Sequence, residues 1–283
     1  MTSEPVARDK AITTVIEAPR GWALLNFREL WQFRELLWML VMRDIKLRYK
    51  QTVLGVAWAI LQPLVAMVVF TIILSGAAGV SSAPGIPYPV YSYSGLVLWF
   101  YFSSALNNAS TSMVTNKVLV SKVYFPRLIA PFSSIVSPLF DLVFAMSILI
   151  VLIYAYGLRL SWVMVFAPLF ILAAALCAGA FGVWLAALNV GYRDIGYAVP
   201  IVVQLWMFLT PTVYSPAHLS TTLRLIYSLN PMAGIMIAFR WSMLHRGSVP
   251  WGVLGTSLGV LFVVLVSGIA YFKRVERTFA DVI

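Results

Sequence analysis

Six apolar stretches, each long enough to cross about 30 Å of hydrocarbon as a helix, constrain this chain more than any other feature. They lie near Leu54–Leu74, Val90–Ser112, Leu128–Tyr156, Trp162–Leu188, Ile195–Val213 and Trp251–Phe272. The third and fourth exceed the roughly 20 residues a span requires, which predicts tilt or extension past the bilayer. Hydrophobic residues make up 61% of the chain and charged residues 11%, against about 25% charged in a soluble domain. A water-soluble fold could not cover this much apolar surface. The expected fold class is an all-α polytopic membrane protein with six transmembrane helices.

Charge sets the orientation. The net charge of +10 would suggest nucleic acid in a soluble protein. Here the bases gather at the ends of the apolar segments, where topology and anionic lipid explain them, and no nucleic-acid partner is expected. With both ends inside, sixteen Lys and Arg fall on the cytosolic side and four outside. The positive-inside rule therefore places both termini in the cytosol. Residues 1–21 contain Glu4, Asp9 and Glu17 and no continuous apolar core, so no signal peptide is expected there. The single cysteine, Cys177, lies in an apolar run and forms neither an intrachain disulfide nor a multi-cysteine metal site.

Residues 1–26 read as a disordered cytosolic tail and residues 274–283 as a cytosolic C-terminal tail. Between them, residues 27–50 form an amphipathic interfacial helix and residues 51–273 the six-helix domain. Phe27, Trp31, Trp38, Val41 and Ile45 share one helical face, and Arg28, Gln32, Glu35, Arg43 and Lys46 fall largely on another. Rings on one side and bases on the other suit a bilayer surface. The segment 214–250 holds apolar runs at Leu223–Leu229 and Met232–Leu244, broken at Asn230-Pro231. Two short re-entrant helices fit this pattern if they pack against protein. A surface loop with two short helices fits it as well.

Ala174, Ala178, Gly182 and Ala186 recur at i+4 in the fourth span, as do Gly255 and Gly259 in the sixth. Small residues let helix backbones approach, so both stripes read as internal or dimer packing faces. Asp141 is the only acidic residue well inside a span. With no second titratable group along a route, the expected role is pairing with a base near the cytosolic side rather than proton coupling. Trp58, Gln62, Ala66 and Phe70 line one face of the first span, and Gln204, Phe208 and Thr212 one face of the fifth. Glutamine with rings suits a sugar path; the same stripes also suit packing or lipid. No phosphate-binding GxxxxGK[ST] loop, HExxH helix or GxSxG elbow occurs. Uphill transport would need energy from another chain.

Five segments carry a family resemblance: Leu40–Lys50 running into Thr52–Pro63, then Lys117–Arg127, Asn189–Ile195, Thr210–Ser215 and Leu229–Met232. Their order resembles that of type-2 ABC transporter permeases that export lipid-linked polysaccharide, most closely O-antigen exporters. The resemblance covers nearly the whole chain from about residue 30. It implies a homodimer enclosing one channel in the bacterial inner membrane, served by two copies of a cytosolic ATPase that binds ATP and Mg. This chain itself would hold no cofactor, metal or catalytic residue. The cargo implied is an undecaprenyl-diphosphate-linked glycan. ATPase coupling would fall to Lys117, Val120, Lys122, Tyr124, Arg127, Arg193 and Asp194. The lipid diphosphate would meet Arg43, Lys46, Arg48 and Lys50, whose charges also serve topology. Trp58, Gln62, Phe70, Gln204 and Phe208 would line the channel, with Tyr214, Asn230 and Pro231 at its outer gate. Competing readings are a permease of this class with another cargo (capsule, teichoic acid, a drug or a lipid), a lone secondary transporter, and an enzyme acting on polyprenyl substrates. The last lacks paired metal-binding carboxylates.

Overall fold

The computed structural model describes residues 27–79, 85–215, 227–245 and 251–279. No strand occurs among them. Two helices, α1 (Phe27–Gln32) and α2 (Arg34–Tyr49), precede α3 (Ala57–Phe70), which runs on to Ala77 as wider π-helical turns. Then come α4 (Tyr88–Thr115), α5 (Lys117–Lys122), α6 (Ile129–Val136) and α7 (Leu139–Ala155). A short 3-10 turn over Trp162–Phe166 leads into α8 (Ala167–Gly191), followed by α9 (Ile195–Phe208), α10 (Pro231–Leu244) and α11 (Trp251–Val275).

Among the described residues, four helical runs are long and apolar enough to cross a membrane: Ala57–Ala77, Ile129–Ala155, Trp162–Gly191 and Trp251–Val275. They match the first, third, fourth and sixth expected spans to within a few residues. The second of these runs is α6 and α7, which meet at Ser137-Pro138, where proline supplies no N–H. Cys177 is buried and unpaired in α8.

The other two expected spans differ for physical reasons. Helix α4 is 28 residues long but rich in hydroxyls, and it is the most enclosed of the long helices. Its serines turn inward on their own backbone, Ser94 donating to the Tyr91 carbonyl, Ser110 to Asn107 and Ser112 to Ala109. Helix α9 stops at Phe208, five residues before the expected end at Val213. Pro211 lacks an N–H and disfavours helical backbone at Thr210, so the chain reverses there instead.

Helix α4 is the hub. It packs most extensively on α8 and also touches α3, α6, α7, α9 and α10. The small-residue stripe of α8 faces inward: Ala174, Ala178, Gly182 and Ala186 are all buried. A Cβ on Gly182 would lie 2.6 Å from the Cβ of Ala109, so α4 and α8 meet at a distance only glycine allows. Gly268 brings α11 equally close to α8 at the Ala180 carbonyl. The Gly255 and Gly259 pair is different, since both are exposed with open space around them.

One apolar cluster fills the middle of the bundle, and a second fills one end. The second joins Leu40 of α2, Met113 of α4, Val120 of α5, Val190 of α8 and Phe272 of α11. This is termed the basic end, and the opposite one the distal end. The helix before the first span is broken at Phe33, and its expected apolar face is divided. Of that face Val41 is buried, beside Leu36, Leu37 and Leu40, which also turn toward protein, while Trp31 and Trp38 remain 71% and 61% exposed. Past α11, Glu276–Thr278 makes one 3-10 turn and Phe279 is buried against Phe272. The expected N-terminal tail (1–26), residues 280–283, and most of the first expected gate helix lie outside the described residues.

Two substitutions separate the seam from the bare stripe. Gly182→Val should cost about 1–3 kcal/mol through overpacking against Ala109 and lower the melting temperature in detergent. Gly255→Val should leave it unchanged. Equal melting of both variants with the wild type would contradict the seam.

Candidate functional site

At the basic end, α5 turns one face inward. Val120 is buried beside Phe125 and Leu128, while Lys117, Lys122 and Tyr124 are exposed together with Val118 and Val123. Arg127 is occupied within the chain: it donates to the Glu276 carbonyl and its guanidinium lies 5.8 Å from the Phe279 ring centroid. The loop after α4 is thereby fastened to the end of α11. The α8–α9 turn is held by Asn189, which donates to the Ser110 carbonyl at 3.1 Å and accepts from the Gly196 N–H at 3.1 Å. That leaves Tyr192, Arg193 and Asp194 exposed at the same end.

The four bases of α2 and its flank differ sharply in environment. Arg43 pairs with its neighbour Asp44 at 2.7 Å. Arg48 forms an ion pair with Asp141 near the start of α7, and the Tyr49 hydroxyl donates to the same carboxylate. Burial, and then this hydrogen bond, push the Tyr49 phenol above its ordinary value, so it stays protonated as a donor. Lys46 and Lys50 are exposed and make no ion pair among the described residues. The pairing expected of Asp141 is therefore made by the segment just before the first span. Asp141 borders a small open cleft with Gln62, Phe100, Tyr101 and Ser104, where α3, α4 and α7 meet.

The residues expected to line a channel all lie on the flanks of the bundle. Trp58 and Phe208 are about half exposed, Gln62 and Gln204 are exposed, and Phe70 is half-buried. Helices α3 and α9 both pack on α4 and leave their outer faces bare. Gln62 alone of this group reaches the cleft.

The distal end holds a polar knot that the sequence reading did not anticipate. Arg240 sits in the middle of α10, only 6% exposed. Its Nη1 donates to the Pro211 carbonyl at 3.0 Å and the Tyr91 hydroxyl at 2.9 Å, its Nη2 to the Thr212 carbonyl at 2.8 Å, and its Nε to Ser94 at 3.3 Å. The guanidinium carbon is 3.8 Å from the Tyr91 ring centroid. Tyr88 donates to the Val213 carbonyl at 2.8 Å and Tyr91 to the Tyr214 carbonyl at 3.0 Å. Four consecutive carbonyls, from Pro211 to Tyr214, are thus each taken by a side chain of α4 or α10. A Cβ on Gly95 would overlap the Thr212 carbonyl and the guanidinium. The available signal was a lone base inside an apolar helix, which must find partners.

Asn230 performs the matching task at the start of α10. It caps the helix, its Oδ1 accepting from the Met232 N–H at 3.1 Å and from the Trp206 indole at 3.0 Å. Its Nδ2 donates to the Leu209 carbonyl and to Thr210 Oγ1, each at 2.9 Å. Pro231 follows at the first helical position, where its missing N–H costs nothing. Tyr214 donates to the Phe208 carbonyl at 2.8 Å and accepts from the Tyr227 hydroxyl at 2.9 Å. The three expected gate residues are therefore gathered at one place.

A bundle of long apolar helices, with an exposed basic face at one end and a hydrogen-bonded reversal at the other, is the architecture of a multi-pass membrane protein. Residues 35–244 match the ABC-2 type transporter family, and the chain belongs to it. It is similar to the O-antigen export system permease protein RfbA of Myxococcus xanthus, 30% identical over 258 residues, covering 90% of this chain and 97% of that protein. The protein of the same name from Klebsiella pneumoniae is 24% identical over 252 residues, covering 88% and 95%.

Removing the Asp141 carboxylate isolates the worth of its pair. Both partners are about a quarter exposed, so Asp141→Asn should cost about 1–2 kcal/mol, less than a fully buried pair would. A double-mutant cycle with Arg48→Gln, read by thermal unfolding in detergent, should recover part of that loss. Full additivity of the two losses would show that the pair carries no coupling.

Proposed function

We propose that this chain is the membrane-spanning permease subunit of an ATP-driven exporter. It moves O-antigen, as an undecaprenyl-diphosphate-linked polysaccharide, across the bacterial inner membrane. The observation that carries this reading is the match over nearly full length to an O-antigen export permease. In this reading two copies enclose one channel, and two copies of a cytosolic ATPase bind ATP and Mg beneath it. Helices α4 and α9 join the four apolar runs to make six crossings, with both termini and the basic end in the cytosol. The segment before the first span lies at the cytosolic interface. Its uncovered Trp31 and Trp38 support that placement, since indole rings favour the headgroup level.

The ATPase docks on Lys117, Lys122, Tyr124, Arg193 and Asp194, which share one exposed end. Val120 and Arg127 pass its motion inward, Val120 to the apolar cluster and Arg127 to the end of α11. Lys46 and Lys50 receive the lipid diphosphate first, because Arg43 and Arg48 already hold carboxylates. Trp58, Gln62, Phe70, Gln204 and Phe208 line the path between the two copies. Helix α10 dips into the outer leaflet as a re-entrant element, and Tyr214, Asn230 and Pro231 stand at the outlet. The burial of nearly all of α10 within the chain supports this, since a short helix at that depth needs protein around it.

Charge reversal on the docking face tests the assignment in cells. Lys122→Glu combined with Tyr124→Ala should leave the chain folded and membrane-inserted while abolishing co-purification of the ATPase. Surface O-antigen should disappear and lipid-linked polymer accumulate inside. Normal surface O-antigen in that variant would refute the docking face. Normal surface O-antigen after deletion of the whole chain would refute the function.

A further inference from the structure

An arginine buried with no carboxylate partner among the described residues demands an explanation beyond charge balance. The partners of Arg240 are two backbone carbonyls, two hydroxyls and one ring, drawn from α4 and from the reversal after α9. Nonhelical backbone in apolar surroundings is tolerated only where each carbonyl finds a donor. Arg240 supplies two of the four donors to this reversal, and Tyr88 and Tyr91 supply the others. The planar fork is what lets one side chain reach adjacent carbonyls at once, a task a lysine ammonium performs poorly. Glycine at position 95 is the matching concession in α4, leaving room for the reversal to lie against the helix. On the other side, Asn230 binds the end of α9 to the start of α10 through Leu209 and Thr210. Ser257 of α11 donates to the Asn230 carbonyl at 3.1 Å.

We infer that Arg240 is a positioning residue that welds the Leu209–Tyr214 reversal, the start of α4 and α10 into one rigid piece. The distal end therefore opens by displacement of this whole piece and not by bending at Asn230-Pro231. The weld stands on the contacts above. That its movement opens an outlet rests on the function proposed for this chain.

The experiment uses the full chain purified with its ATPase partner in nanodiscs, read by hydrogen exchange, and in proteoliposomes, read by iodide permeability without ATP. Three variants are compared. Tyr91→Phe keeps the ring but loses the hydroxyl that bridges Arg240 and Tyr214, and Arg240→Lys keeps charge but loses the fork. Tyr93→Phe is the control, since Tyr93 is equally buried in α4 but donates to the Ala145 carbonyl, away from the reversal. In wild type the Thr210 and Thr212 amides, which donate to the Met207 and Thr210 carbonyls within the reversal, should stay protected both at rest and when the complex is trapped with ATP and vanadate. Tyr91→Phe should speed their exchange about fivefold, the worth of one hydrogen bond, and Arg240→Lys should speed it further, with the basic end unchanged. Both should raise iodide permeability, and Tyr93→Phe should do neither. Unchanged exchange in both variants, the same gain in Tyr93→Phe, or loss of protection in the trapped wild type would each overturn the inference. Faster exchange without any iodide permeability would uphold the weld and refute the outlet.

Discussion

In hydrocarbon, apolar side chains gain nothing by leaving lipid, so helices associate through close backbone approach and polar contacts. The α4–α8 seam answers that constraint, with Gly182 against Ala109 and a row of small buried residues along α8. Everything else is arranged on it. At the basic end the Ser110 carbonyl of α4 receives Asn189, which shapes the α8–α9 turn. At the distal end Tyr88, Tyr91 and Ser94 of the same helix hold the reversal after α9 and the arginine of α10. One helix thus joins the basic end of the bundle to its distal end. A contact at one end that differs between states would have a stiff route to the other.

The basic end sorts its charges by availability. Arg43 and Arg48 are spent on carboxylates, and Arg127 on a carbonyl and a ring. Lys46, Lys50, Lys117 and Lys122 remain exposed. The paired arginines fix geometry, which suits their planar fork, while the lysines keep mobile charge at the surface. The Arg48–Asp141 pair also ties the helix before the first span to the third, beside the cleft that Gln62 borders.

Much of this was legible in the sequence because hydropathy and charge act locally. The four long apolar spans, the inward stripe of α8, the Asn230-Pro231 helix start and the need of Asp141 for a base all follow from spacing and composition. What escaped depends on partners distant in the chain. Arg240 counted only as one more outside base, because nothing near it in sequence announces Tyr91 or the Pro211 carbonyl. The early end of α9 turned on Pro211, outweighed in the hydropathy pattern by the apolar residues around it. The split face of α2 arose because Leu36, Leu37, Leu40 and Val41 found protein to pack on, whereas periodicity cannot tell a lipid-facing side from a protein-facing one. The bare Gly255 and Gly259 show the same limit from the other direction.

The most direct measurement is ATP-driven transfer of purified lipid-linked O-polysaccharide across proteoliposomes, scored by the access of an added endoglycosidase to the polymer. With this chain and its ATPase both present, the polymer should change sides only when ATP and Mg are supplied, and neither chain alone should move it. Transfer by this chain alone, or transfer driven by a proton gradient without ATP, would contradict the assignment of a permease that depends on a separate motor.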